Sequence, residues 1–131
     1  MSRVPVIALD TNALMMPVEL GVRSFDEIRR LLGECEFVVP RSVVDELSKL
    51  ADRGTGTEST AARVGLDLAR DRCSIVEHEE PYADDALVGL ARDGTVDYVA
   101  TNDAPLRDRL LAAGVPVIGL RGRNKLAITQ P

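Results

Sequence analysis

The stretch that most constrains this chain is Val4-Pro5-Val6-Ile7-Ala8-Leu9, which stops abruptly at Asp10-Thr11-Asn12. An uncharged apolar run this short fits a strand buried on both faces, as in a parallel sheet. Polar residues just past such a strand sit at its C-terminal end, where open α/β sheets place their ligands. Asp10 is therefore a candidate site residue, and the other acids are judged by whether their segments arrive beside it.

The rest of the chain alternates between helix and strand patterns. Asp10, Thr11 or Asn12 can cap a short helix through Ala13-Leu14-Met15-Met16, which Pro17 is expected to stop. Ser24 with Glu27 reads as a capping box for a helix over 25–32, closed by Gly33. Phe37-Val38-Val39-Pro40 is a second strand, and Ser42 is expected to cap a helix over 43–53. After the break Gly54-Thr55-Gly56-Thr57, a helix over 58–72 carries Ala61, Ala62, Val64, Gly65, Leu68 and Ala69 as its apolar stripe. Cys73-Ser74-Ile75-Val76 is a third strand, followed by an exposed acidic loop at 78–81 and a helix over 84–92. Tyr98-Val99-Ala100 is a fourth strand, followed by a helix over 105–113, closed by Gly114, and a fifth strand over 115–120. This alternation predicts a three-layer α/β/α sandwich with a parallel central sheet of about five strands, in one domain spanning 1–131. The polar, basic end at 121–131, with Leu126-Ala127-Ile128 inside it, is either a partner-ordered tail or an edge strand.

Composition narrows the chemistry. At 131 residues, 45% hydrophobic and 28% charged, the chain can bury a core and reads as a soluble globular protein. No apolar run reaches the length of a membrane span, and the residues before Val4 are too few for a secretory leader. Cys35 and Cys73 have no metal-ligand spacing, which makes a reducing cytoplasm the expected setting. The lone His78, read as a surface loop residue, cannot build a zinc site or a histidine-based triad. A net charge of −5 argues against a general nucleic-acid coat protein. Acids gathered at a cation would count in that total while being neutralised by the ion, and Arg outnumbers Lys 14 to 2, favouring the better phosphate fork.

The acids sort by position. Asp10 ends the first strand, Glu46 lies in the first turn of the helix after the second, Asp84 and Asp85 open the helix after the third, and Asp103 follows the fourth in Thr101-Asn102-Asp103. In a parallel sheet all of these points share one edge. Each alone reads as a helix cap, since Asp and Asn are favoured there. Repetition after four strands is what points beyond capping. Four such carboxylates repel one another unless a cation lies between them, and oxygen-only ligands favour magnesium or manganese over zinc. At ~100° per residue, Glu46 borders the arc of Val43, Val44, Leu47, Leu50 and Ala51, while Asp45 points to solvent. Asp84 lies in the arc of Leu87, Val88 and Ala91 and Asp85 outside it, so Asp84 is the preferred ligand and Asp85 a cap or support.

With these pieces in order, the chain resembles the PIN-domain family of metal-dependent ribonucleases. The matching segments are Leu9-Asp10-Thr11-Asn12, Val44-Asp45-Glu46-Leu47, Tyr82-Ala83-Asp84-Asp85-Ala86-Leu87-Val88, and Val99-Ala100-Thr101-Asn102-Asp103-Ala104-Pro105-Leu106. They look most like the branch holding the eukaryotic small-subunit ribosomal RNA processing endonuclease and its archaeal relatives, with VapC-type toxins next. The resemblance implies that Asp10, Glu46, Asp84 and Asp103 are metal ligands, supported by Thr11, Asn12 and Thr101. It implies a metal-activated water cutting RNA to leave a 5′-phosphate and a 3′-hydroxyl. Arg41, Arg53, Arg107, Arg121, Arg123 and Lys125 are the candidate phosphate contacts.

Partners implied are the RNA and either ribosome-assembly factors or an antitoxin. Family members often dimerise, and Leu14-Met15-Met16 and Leu20-Gly21-Val22 are either core or a dimer contact. Alternatives in other classes are a non-catalytic PIN-like binding module and a phosphatase with Asp10 as nucleophile. The latter fits poorly, because Asp10-Thr11-Asn12 lacks a second carboxylate two residues on.

Overall fold

The computed structural model describes residues 3–131 as a sheet flanked by helices. In chain order the elements are β1 (Val6–Leu9), α1 (Thr11–Glu19), α2 (Ser24–Leu32), β2 (Glu36–Pro40), α3 (Arg41–Ala51), α4 (Thr57–Arg72), β3 (Ser74–Val76), α5 (Ala83–Arg92), β4 (Tyr98–Ala100), α6 (Ala104–Ala112), β5 (Val117–Arg121) and β6 (Lys125–Thr129). No helix among the described residues is long and apolar enough to cross a membrane.

The sheet order is β3-β2-β1-β4-β5-β6, parallel throughout except for the antiparallel pair β5–β6. The expected parallel α/β/α architecture is present, and the end of the chain is the edge strand β6 rather than a tail. From β1 the chain winds through β2 to β3 in one direction, and from β4 through β5 in the other. Right-handed crossovers then place α1–α4 on one face and α5 and α6 on the other, consistent with the packing of α1 and α3 on α4 and of α5 on α6. The direction reverses between β1 and β4, and at such a switch point open sheets form their ligand crevice.

The first strand is as buried as its composition requires: Ile7, Ala8 and Leu9 have no exposed surface. Ala8 lies in register with Val38 on one side and Val99 on the other. Leu14, Met15, Met16 and Val22 are core, not a dimer contact, and only Leu20 of those two stretches is a large exposed apolar residue.

Several local expectations are corrected. Pro17 does not stop α1, which runs on to Glu19. A proline costs a helix the hydrogen bond to the carbonyl four residues back. Here that carbonyl, on Ala13, accepts from the Ser24 hydroxyl at 2.9 Å. Ser24 is therefore not half of a capping box: Arg23 is the cap residue of α2 and makes no side-chain cap bond. Glu27 instead accepts from the Leu126 N–H at 3.0 Å and from Arg30, tying α2 to β6. Ser42 does not cap α3, which begins at Arg41, and its buried hydroxyl has no partner among the described residues. Val64 turns outward, at 36% exposure, while Ser59, Ala61, Ala62, Gly65 and Ala69 form the buried face of α4. A Cβ at Gly65 would lie 2.9 Å from the Leu14 carbonyl oxygen, so the glycine sets how closely α4 meets α1. His78 is half-buried rather than loose, its ring seated against Gly89 and its Nδ1 accepting from the Glu80 N–H at 3.1 Å.

Candidate active site

Asp10 leaves β1 at the switch point and caps α1, its Oδ1 accepting from the Ala13 N–H at 2.8 Å. Its Oδ2 accepts from the hydroxyl of Thr101, at the end of β4. That same Thr101 oxygen accepts from the Asp103 N–H at 3.0 Å, and Asp103 Oδ1 caps α6 by accepting from the Leu106 N–H at 2.9 Å. Capping and site membership are thus not alternatives for these acids. The cap fixes the rotamer that aims the carboxylate.

A cavity of about 480 Å³ opens over this edge of the sheet, lined by Asp10, Thr11, Asn12, Glu46, Asp84, Asp85 and Asp103. All four acids expected to gather there do so, from α3, α5 and the ends of β1 and β4. Asp10 is 4% exposed, and burial pushes its carboxyl up to about 7. Its hydrogen bonds to Thr101 and Ala13 work against that rise, while repulsion from Asp84 and Asp103 adds to it. Asp84 is also held above the usual carboxylate range, by desolvation first and Asp103 next, with Arg109 opposing. The cluster carries more negative charge than its surroundings balance.

Of the adjacent pair, Asp85 has a cation partner: its Oδ1 accepts from Arg109 Nη2 at 2.9 Å. Among the described residues Asp84 has no such bond. Arg109, Tyr82 and Ala83 line the cavity too, and sequence reasoning named none of them as a site residue. Arg109 stands ~200° around α6 from Arg107 at ~100° per residue, and a projection of that helix would have separated the two.

The donor set suits a hard divalent cation: carboxylate oxygens, with Thr11, buried at 8% exposure, contributing a hydroxyl that has no partner among the described residues. As arranged, no three His, Cys, Asp or Glu side chains among those residues are drawn together tightly enough to grip an ion. Glu46 and Asp84 are exposed, and among the described residues neither accepts a side-chain hydrogen bond. Thiol chemistry does not belong here. Burial pushes Cys73 up to about 12 and raises Cys35 as well, which leaves both protonated at neutral pH.

The six candidate phosphate contacts scatter. Arg41 pairs with Glu77 at 2.9 Å. Arg53 follows α3 and is exposed, and Arg123 lies in the β5–β6 turn. Arg107 and Arg121 line a second cavity beside Thr101 and Asn102, and Lys125 pairs across the hairpin from Arg121. Asn102 is bonded into the frame, its Oδ1 accepting from the Leu120 N–H at 2.7 Å and its Nδ2 donating to Met16 Sδ at 3.1 Å.

Known proteins resemble this chain over most of its length. A family profile described as "PIN like domain" matches residues 7–123. Ribonuclease VapC4 of Methanocaldococcus jannaschii is 28% identical over 124 residues, covering 93% of this chain and 95% of that protein. The rRNA-processing protein FCF1 of Saccharomyces cerevisiae is 32% identical over an alignment of 127 residues that covers 88% of this chain and 60% of FCF1's length. A solved structure of the PIN domain endonuclease Utp24 aligns with a TM-score of 0.77 over 96% of this chain and 92% of that one, at 22% identity. That last likeness is one of fold.

Proposed function

The chain belongs to the PIN-like domain family, and on that basis we propose that it is a divalent-metal-dependent endoribonuclease. The observation that carries this reading is the convergence of Asp10, Glu46, Asp84 and Asp103 on one cavity, with the Asp10 carboxyl raised to about 7. Magnesium or manganese is the ion that these hard oxygen donors fit. When bound, it would supply a water activated for attack and a positive charge against the negative charge that develops on the phosphoryl and leaving oxygens.

The chain's own residues do the rest. Thr101 holds Asp10 and, through the Asp103 N–H, fixes the two acids relative to each other. Glu46 and Asp84, on helices from opposite faces of the sheet, would complete the set of carboxylates that hold the ion. Thr11 and Asn12 would support them from the first turn of α1, where the Thr11 hydroxyl has no partner among the described residues. Asp85 holds Arg109 at the rim, where the guanidinium meets a nonbridging phosphate oxygen entering an otherwise acidic cavity.

The substrate we propose is ribosomal RNA during processing, a reading supported by the 32% identity to the rRNA-processing protein FCF1. A toxin reading is favoured by VapC4, whose relationship to this chain covers both nearly end to end. The chain would work as a single domain in a reducing cytoplasm, alone or as a homodimer, with assembly factors as partners in the first case and an antitoxin in the second. The test is cleavage of pre-ribosomal RNA by purified protein in magnesium and in manganese, with Asp10→Asn alongside and calorimetry for the ion. Metal-dependent cleavage lost in Asp10→Asn is expected. Full activity in that variant overturns the reading, and growth arrest on expression, relieved by a neighbouring small protein, favours the toxin.

A further inference from the structure

Along the C-terminal edge of the sheet the charge changes sign. Over β3, β2, β1 and β4 stand the acids already described. Over β5 and β6 the same edge presents Arg121, Arg123 and Lys125. Arg121 and Lys125 are direct cross-strand partners, and like charges placed opposite one another destabilise a hairpin. Among the described residues Arg121 makes no ion pair, and Arg107 pairs only with its own neighbour Asp108, at 3.5 Å.

Arg107 and Arg121 also share a cavity of about 230 Å³ between α6 and the β5–β6 hairpin. Its floor is kept open by Gly119, where a Cβ would stand 3.0 Å from the Thr101 carbonyl oxygen, together with Ala127 and Thr129. Thr101 and Asn102 form its wall toward the acids, and Asp103, two residues after Thr101, lines the acidic cavity. The two cavities are therefore separated by one short loop. Two guanidiniums, Arg121 without an ion pair among the described residues and Arg107 held only by the exposed Asp108 at 3.5 Å, suit a phosphodiester group, because the planar fork matches phosphate oxygens in pairs.

We propose that this second cavity is a subsite for an RNA backbone phosphate flanking the scissile one, so that the strand crosses the 101–103 loop from the acidic half of the edge to the basic half. The proposal rests on the endoribonuclease reading and adds the path of the substrate to it. It also explains how a chain of net charge −5 holds a polyanion: the attraction is local to the β5–β6 end.

The test uses the full chain carrying Asp10→Asn and a fluorescein-labelled single-stranded RNA of about ten nucleotides, in magnesium, with anisotropy read over a salt series. Adding Arg107→Ala and Arg121→Ala is expected to weaken binding roughly tenfold or more, the worth of one or two charge-assisted hydrogen bonds. The slope of log Kd against log salt should fall by about 0.7 for each phosphate left without its guanidinium, equally for different RNA sequences. A control pair, Arg70→Ala with Arg92→Ala, removes the same charge from exposed sites on α4 and α5 and should leave both readings near the parent's. Arg107→Lys with Arg121→Lys should recover the salt slope but only part of the affinity, since the pair keeps charge and loses the fork. In the chain with Asp10 intact, the alanine pair should raise KM for RNA and leave kcat in place. If the alanine pair binds RNA with the parent's affinity and slope while the intact chain still cuts, the subsite is wrong and the nuclease stands. An intact chain that neither binds nor cuts RNA overturns both.

Discussion

Thr101 and Asp10 stand 91 residues apart in the sequence, yet the hydroxyl of one donates to the carboxylate of the other across the β1–β4 seam. The same oxygen accepts the Asp103 N–H, so a single side chain aligns acids from two strands. Replacing Thr101 with Val keeps the shape and removes both bonds. RNA cleavage is expected to fall about 10- to 100-fold, as when the hydrogen-bond partner of a metal ligand is lost. Serine at the same position should restore most of it. Because the Thr101 bond holds the Asp10 carboxyl down against burial, its loss should also move the acid limb of the pH–rate profile to higher pH. Equal activity and an unmoved profile in the valine variant would remove Thr101 from the site.

The raised carboxyl of Asp10 has a consequence for stability. Folded, it titrates at about 7 instead of 3.8, so it binds its proton more tightly in the native chain than in the unfolded one. Its contribution to stability is complete below about pH 4 and is lost as pH rises through about 7, with a slope of at most about 1.4 kcal/mol per pH unit. Metal-free protein should therefore melt at a lower temperature at pH 8 than at pH 5. Asp10→Asn should flatten that slope and be more stable than the parent at pH 8. Magnesium or manganese should raise the melting temperature of the parent at pH 8 and not that of the variant, readable by thermal denaturation in chelator and in metal.

The pairing of Pro17 with Ser24 is testable as a double-mutant cycle. Ser24→Ala leaves the buried Ala13 carbonyl without its donor and should cost about 1–3 kcal/mol. Pro17→Ala supplies the missing N–H from within α1. The double variant should therefore lose clearly less than Ser24→Ala alone, an interaction of about 0.5 kcal/mol or more in urea unfolding. Strict additivity would mean that the serine does not stand in for the absent N–H.

At Gly65, alanine would gain about 1 kcal/mol of helix propensity. The new methyl would sit 2.9 Å from the Leu14 carbonyl oxygen and force α1 and α4 apart. Overpacking of this kind costs about 1–3 kcal/mol, so net destabilisation is expected. Since Asp10 caps α1, magnesium affinity measured by calorimetry should fall with it. Gly56→Ala, which meets open space, is the control.

What could be read from the sequence followed burial. The apolar run ending at Asp10, the strand-and-helix alternation and the arc that singles out Glu46 from Asp45 all depend on local period, and all appear in the fold. The misreadings are residues whose partners are distant. Pro17 ends a helix unless something replaces its N–H, and that something is a hydroxyl on the next helix. Ser24 and Glu27 have the spacing of a capping box, but each finds its partner elsewhere, at Ala13 and at Leu126. Arg109 carries no local mark, because what draws it to the rim is Asp85, 24 residues earlier in the chain.

The reversal of strand order between β1 and β4 also bears on how the chain becomes competent. Asp10 and Glu46 come from the half that winds toward β3, whereas Thr101, Asp103 and the basic hairpin come from the half that winds toward β6. Neither half owns a site. A nascent or partly unfolded chain can display every acid and still have no assembled centre, so cutting activity is withheld until the seam closes. Two fragments divided in the 78–81 loop would each be silent and, if they associate, would recover cleavage together, which makes activity itself a report on whether the two halves have met.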